Sequence, residues 1–153
     1  MNALELKVPP VAQVTITAAA MYGVAKIMPS LQFSFNGSTA LAICLGVIGL
    51  GSGIMGVAEF KKAQTTVNPH TPEKSTNLVT RGIYQYTRNP MYVGLVLILL
   101  CWALYLSHFL AFVLVPVFML YMTRFQIQPE ERMMEQKFGK RYQTYLKKVR
   151  RWI

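Results

Sequence analysis

Residues 88–125 read RNPMYVGLVLILLCWALYLSHFLAFVLVPVFMLYMTRF. Two apolar runs, 91–106 and 109–125, are separated only by Ser107 and His108. Each approaches the roughly 20 residues that carry a helix across a bilayer. A two-residue link forces neighbouring helices to run antiparallel, so the stretch is predicted to be a tight helical hairpin. Pro116 is expected to kink the second arm, because it removes a backbone donor and crowds the preceding turn.

Upstream, residues 10–28 and 39–58 are two further apolar runs, giving four expected transmembrane helices in an all-α, polytopic membrane protein. Fifteen of the 16 lysines and arginines flank these runs on one side, and only Lys26 falls on the other. Short basic flanks stay cytoplasmic, so both termini and the long 61–89 connection are expected in the cytoplasm. The amino-terminal run is broken by Pro9 and Pro10 and lacks a basic start and a small-residue cleavage site, so no cleavable signal peptide is expected.

Composition agrees. Hydrophobic residues make up 53% and charged residues 14%, against about 25% charged in soluble chains. The net charge of +10 lies beside apolar runs, which points to anionic lipid headgroups as partners and away from nucleic acid. The chain is read as one domain over residues 1–153, with two amino-terminal spans in 1–60 and a catalytic core in 61–153.

The 61–89 connection is longer than a simple link needs, and Asn68-Pro69, Thr71-Pro72 and Ser75-Thr76-Asn77 mark breaks in it. Beyond Arg124, Pro129 with Glu130, Glu131 and Glu135 reads as a helix start. Met134, Phe138, Tyr142, Tyr145 and Val149 then recur at helical spacing among basic residues. They predict a cytoplasmic amphipathic helix on the membrane surface, weakened or bent at Gly139.

Several features have plain explanations. Gly46, Gly49, Gly51, Gly53 and Gly56 sit inside an apolar run with no strand before them, which excludes a nucleotide loop and fits close helix packing. His108 is expected to be solvated at the far-side turn, and Glu59 interfacial. Cys44 and Cys101 read as reduced core thiols. His70 has no histidine or cysteine at ligand spacing, so no metal is expected.

Two pieces read differently. Thr80-Arg81-Gly82-Ile83-Tyr84-Gln85-Tyr86-Thr87-Arg88-Asn89-Pro90-Met91-Tyr92 places charge and hydroxyls at a membrane boundary, where charge needs a partner or a ligand. Glu130-Glu131 lies just past the other end of the same hairpin. The antiparallel arms return both pieces to one face, so Arg88 and Glu130 are expected to meet over a ligand site, with a structural ion pair as the alternative.

Thr65-Thr66-Val67-Asn68-Pro69, Leu78-Val79-Thr80-x-Gly82-x-Tyr84, Arg88-Asn89-Pro90-Met91-Tyr92-x-Gly94, Glu130-Glu131 and Phe138-Gly139-x-x-Tyr142-x-x-Tyr145 together resemble the isoprenylcysteine carboxyl methyltransferases, relatives of the membrane phospholipid methyltransferases. The resemblance covers about the last 90 residues. It implies S-adenosylmethionine bound on the cytoplasmic side of a bacterial inner membrane, and methyl transfer to a carboxylate or amine of a lipid-tailed or hydrophobic small substrate. It implies Arg88 and Glu130 as catalytic, and Tyr84, Asn89, Pro90, Tyr92, Gly94, Glu130 and Glu131 as cofactor-binding. Asn89 stands where eukaryotic members usually carry histidine; an amide hydrogen-bonds a cofactor but shuttles no proton. An NADPH-dependent sterol-type reductase, which shares an arginine–histidine–proline–x–tyrosine hairpin, and a non-catalytic scaffold are the alternatives.

Overall fold

The computed structural model describes residues 5–64 and 77–153. Helix α1 spans Pro10–Ile27 and α2 spans Ser38–Lys62. A short 3-10 turn, Gly82–Gln85, precedes α3, Pro90–Leu106. Helix α4, Phe109–Met122, runs through a π-helical turn at Thr123–Ile127 into α5, Gln128–Phe138, and α6 is Lys140–Lys148. No strand occurs among the described residues; Gln32 and His108 form one isolated bridge. The Thr65–Pro69 motif, His70, and the breaks at Thr71-Pro72 and Ser75-Thr76 lie outside the described residues.

Two helical runs, Ser38–Lys62 and Phe109–Phe138, are long and apolar enough to cross a membrane, while α3 is apolar but shorter. Apolar residues also face outward: Ile43, Val47 and Ile54 on α2, and Val113, Val117 and Leu120 on α4, are all more than half exposed. A continuous apolar exterior is unfavourable in water and neutral in lipid.

Helix α3 is the centre of the bundle, with α2 on one side and α1 and α4 on the other. Met21, Val96, Leu99, Ala103, Ala111, Val115, Phe118 and Met122 fill the seam between α1, α3 and α4. The α2–α3 seam is made by glycine. A Cβ built on Gly94 would fall 2.6 Å from the Gly49 carbonyl oxygen, and one on Gly49 would fall 2.9 Å from that of Gly94. Ser52 Oγ donates to the Pro90 carbonyl across the same seam at 2.7 Å. The close-packing reading of the glycine run therefore holds for Gly49 and Gly56, whereas a Cβ on Gly51 meets nothing within 4 Å.

The hairpin forms as read, turning at Ser107 with a left-handed φ of 50°. His108 is a correction: it is fully buried. The 3-10 turn at Pro29–Leu31 folds back over the hairpin, so His108 Nε2 lies 2.8 Å from the Met28 carbonyl and Phe33 N–H donates to the Ser107 carbonyl. A short polar turn was expected in solvent, and a separate chain segment caps it.

The helix start expected at Pro129 is a second correction, because the chain is helical from Phe109 onward, through Pro116. Pro129 has no N–H for the Phe125 carbonyl and crowds it. The helix widens into a π turn, with Gln128 N–H donating to the Thr123 carbonyl, and Leu6 N–H donates to the freed Phe125 carbonyl at 3.0 Å. Gly139, with φ of 50°, divides the expected amphipathic helix into α5 and α6.

Gly94→Ala is expected to lower the thermal midpoint of the detergent-purified protein by several degrees, because backbone lies where the methyl must go. Gly51→Ala is expected to leave it unchanged or raise it slightly, since alanine is favoured over glycine in an open helix position by up to about 1 kcal/mol. Equal losses in both variants would remove the glycine seam as the cause.

Candidate functional site

The site lies where the start of α3, the start of α5 and the stretch after α6 meet. Pro90 sits in the first turn of α3, where a missing N–H costs nothing. This leaves residues 87–89 outside the helix, and the chain after α6 runs alongside them. Arg88 N–H donates to the Arg150 carbonyl at 3.0 Å. Thr87 Oγ1 and Asn89 Nδ2 both donate to the Arg151 carbonyl, at 3.2 and 2.9 Å.

Arg88 is the hub. Its Nη1 donates to the carbonyls of Val149 and Leu146, at 2.7 and 3.3 Å, and its Nη2 donates to Glu131 Oε1 at 2.6 Å. Arg151 closes the network on the same carboxylate, with Nη2 2.6 Å from Glu131 Oε2. The Arg88–Glu131 pair is largely buried, 11% and 15% exposed. Burial alone raises the Glu131 pKa, but hydrogen bonds from Arg151 and Arg88 outweigh it and hold the carboxyl below its usual range.

The expected meeting of Arg88 with Glu130 is corrected here, since Arg88 takes Glu131 instead. Adjacent helical residues point about 100° apart, and Glu130 turns inward to α3. The Tyr92 hydroxyl donates to Glu130 Oε1 at 2.6 Å, and Gln126 Nε2 donates to the same oxygen at 2.5 Å. No hydrogen bond reaches Oε2 from the described residues. Glu130 lies beyond the apolar part of its helix. Burial is the main cause that pushes its pKa up to about 7, opposed by the two hydrogen bonds and reinforced by the Glu131 charge.

Aromatic residues surround this carboxylate. Tyr84 is buried, packs edge-on to Phe60, and accepts a hydrogen bond at its carbonyl from the Tyr145 hydroxyl. Tyr142 packs against Tyr145. Burial raises the pKa of all three phenols, so they remain neutral donors. Three buried polar atoms here have no partner among the described residues: Tyr84 Oη, Arg88 Nε and Gln126 Oε1. A cleft of about 450 Å³ opens beside Tyr145, lined by Thr80, Gln85, Arg141, Thr144 and Lys148.

Tyr84, Tyr92, Glu130 and Glu131 lie close together. Arg88 and Asn89 stand beside them but spend donors on the chain after α6. Pro90 and Gly94 face α2, where packing already accounts for both. Gln126, Arg151 and Tyr145 are residues the sequence reading did not single out as site residues. Gln126 lies four residues before Glu130, a helical spacing that was its one available signal. Arg151 was hidden in a basic run.

The sequence model of the phospholipid methyltransferase family matches residues 38–141. That range is most of the chain, and the chain belongs to this family, part of the isoprenylcysteine carboxyl methyltransferase-like group of membrane methyltransferases. A stretch of 63 residues, 41% of this chain, is 49% identical to the whole length of an uncharacterized protein of Haemophilus influenzae (strain ATCC 51907 / DSM 11121 / KW20 / Rd). No solved structure matches the chain.

The two acids make opposite contributions to stability. Glu130 titrates higher when folded than the ordinary 4.5, so the folded state holds the extra proton between those values and stability falls as pH rises through them. Glu131 titrates lower when folded, so its contribution is present above its ordinary pKa and is lost as pH falls through the folded value. Thermal melts are expected to show Glu130→Gln gaining on the wild type from pH 5 to pH 8. A constant difference across that range would contradict the assignment.

Proposed function

We propose that this family member transfers the methyl group of S-adenosylmethionine to an amine of a lipid-tailed substrate at the cytoplasmic face of a bacterial inner membrane. The observation that carries this is Glu130, a half-buried carboxylate with Oε1 held by Tyr92 and Gln126 and Oε2 without a hydrogen bond from the described residues. A general base works best with a pKa near the ambient pH, and Glu130 sits at about 7. A protonated amine must lose a proton before it attacks carbon, and Glu130 Oε2 is the acceptor for it.

A carboxylate substrate needs a cation instead, and Arg88 was the residue expected to supply it. Both of its terminal nitrogens are committed to Glu131, Val149 and Leu146. That favours the amine over the carboxylate. Arg88 then acts by holding the chain after α6 in place, and no observation favours the reductase or scaffold readings.

The unpaired atoms Tyr84 Oη, Arg88 Nε and Gln126 Oε1 fit a ligand that carries both donors and acceptors, as the amino-acid end and ribose of S-adenosylmethionine do. When bound, that cofactor supplies an activated methyl group on a sulfonium. Tyr84, Tyr92, Glu130 and the Glu131–Arg88 pair would hold it, and the negative charge of Glu130 suits its positive sulfur. The chain's own task is alignment and exclusion of water.

The same reading takes α1, α2, α3 and α4 as four spans of a single domain. The core of 61–153 sits at the cytoplasmic face, and α5 and α6 lie on the membrane surface against anionic headgroups. In its support, the hairpin arms return Arg88 and Glu131 to one place, and all but one of the basic residues fall on that side.

Calorimetric titration of the detergent-purified protein is expected to show S-adenosylhomocysteine binding, and radiolabelled cofactor is expected to label lipids with a primary amine in preference to fatty carboxylates. Glu130→Gln should retain binding and lose turnover by at least a hundredfold. Labelling of carboxylates alone would overturn the amine assignment, and absence of binding would overturn the cofactor. For the topology, cysteines introduced as Asn36→Cys and Ser75→Cys are expected to react from opposite sides; labelling from one side would refute four spans.

A further inference from the structure

Gln126 is fully buried, yet only half of its amide is satisfied. Its Nε2 donates to Glu130 Oε1, and its Oε1 has no partner. A leucine there would pack without leaving a polar atom unpaired, so packing does not account for glutamine. Its position is equally specific. Gln126 belongs to the π turn that Pro129 imposes, and π turns inside α-helices recur at functional sites. The Tyr92 hydroxyl approaches the same Glu130 oxygen from α3. Two donors from different helices therefore share Oε1, and Oε2 receives none.

We propose that Gln126 is a positioning residue of this site: together with Tyr92 it pins one oxygen of Glu130 and so dedicates the other to the reacting group. The inference rests on the reading of Glu130 as proton acceptor. Without the amide, either carboxylate oxygen is free to turn toward Tyr92, and the base loses its fixed direction. The unpaired Gln126 Oε1 lies within the same side chain and is left for an N–H or O–H of the bound cofactor. The titratable groups around Glu130 are Tyr92 from α3, Tyr84 from the 3-10 turn, Glu131 on its own helix and Tyr142 from α6. Burial raises the pKa of the Tyr84 and Tyr142 phenols, so both stay neutral beside Glu130.

Infrared titration of the purified protein reads Glu130 directly through its protonated carboxyl band, which Glu130→Gln identifies by removing it. The Gln126 hydrogen bond favours the charged carboxylate, so its loss in Gln126→Leu is expected to move the midpoint upward by about one pH unit. Should that variant fail to fold, Gln126→Glu keeps shape and places a second carboxylate against Glu130. The pair is then expected to share a proton and titrate in two separated steps, the upper one above the wild-type midpoint. An unmoved Glu130 midpoint in Gln126→Leu, or independent titration of the two acids in Gln126→Glu, overturns the proposal. S-adenosylhomocysteine binding to the same samples tests the underlying function separately. A shifted band without binding would keep Gln126 as the residue that positions Glu130 and refute methyl transfer alone.

Discussion

Glu131 carries the arrangement, because it is the carboxylate on which Arg88 and Arg151 both close. Charges this far from water are tolerated only when each is paired and its remaining hydrogen bonds are filled, and removing one partner leaves the others uncompensated. Here the pairing does topological work. Arg88 precedes α3, Glu131 lies in α5 and Arg151 follows α6, so one carboxylate ties together three segments distant in sequence. The carbonyls of Leu146, Val149, Arg150 and Arg151 accept further donors from residues 87–89.

Once Glu131 is held, the direction of Glu130 follows. The next residue on a helix points about 100° away, which turns Glu130 to Tyr92 and Gln126. Two adjacent carboxylates thereby acquire opposite characters. One is bound by two guanidiniums and is held below its ordinary pKa; the other, half-buried, meets neutral donors and holds its proton more tightly. Separating the behaviour of paired acids by environment is how one site obtains both a fixed charge and a titrating group. The π turn belongs to the same logic. Pro129 prevents a regular α turn, Leu6 takes the carbonyl that Pro129 cannot serve, and the altered phase brings Gln126 inward. Glu5, one residue earlier, bridges Arg124 and Arg132 at 2.7 Å each and secures the amino-terminal segment to this turn.

The elements legible in the sequence are those set by local rules. The two-residue link at Ser107-His108 leaves no geometry other than a hairpin, Pro90 suits a first helical turn, and Gly139 marks the break before α6. Tyr92 and Glu130–Glu131 were legible as neighbours because an antiparallel hairpin returns its ends to one face. The choice between Glu130 and Glu131 as the partner of Arg88 was not legible. It depends on the rotational phase of α5, and the π turn resets that phase within a helix whose periodicity otherwise looks continuous. His108 was misjudged for a different reason: its environment is set by the Pro29–Leu31 turn, a contact about 80 residues distant in sequence. Gln126 was overlooked because a neutral amide at the end of an apolar run carries no charge signal.

The distribution of cations explains why the reactive end of the site is acidic and aromatic in so basic a chain. Arg88 and Arg151 are committed to Glu131, and Arg124 and Arg132 to Glu5. Arg141 and Lys148 line the outer cleft instead. What remains around Glu130 is tyrosine and glutamine, groups that hydrogen-bond without supplying charge. None of these groups supplies a positive charge that would compensate a second carboxylate beside Glu130. The four arginines that hold chain segments together through Glu131 and Glu5 are thereby kept from pairing with Glu130.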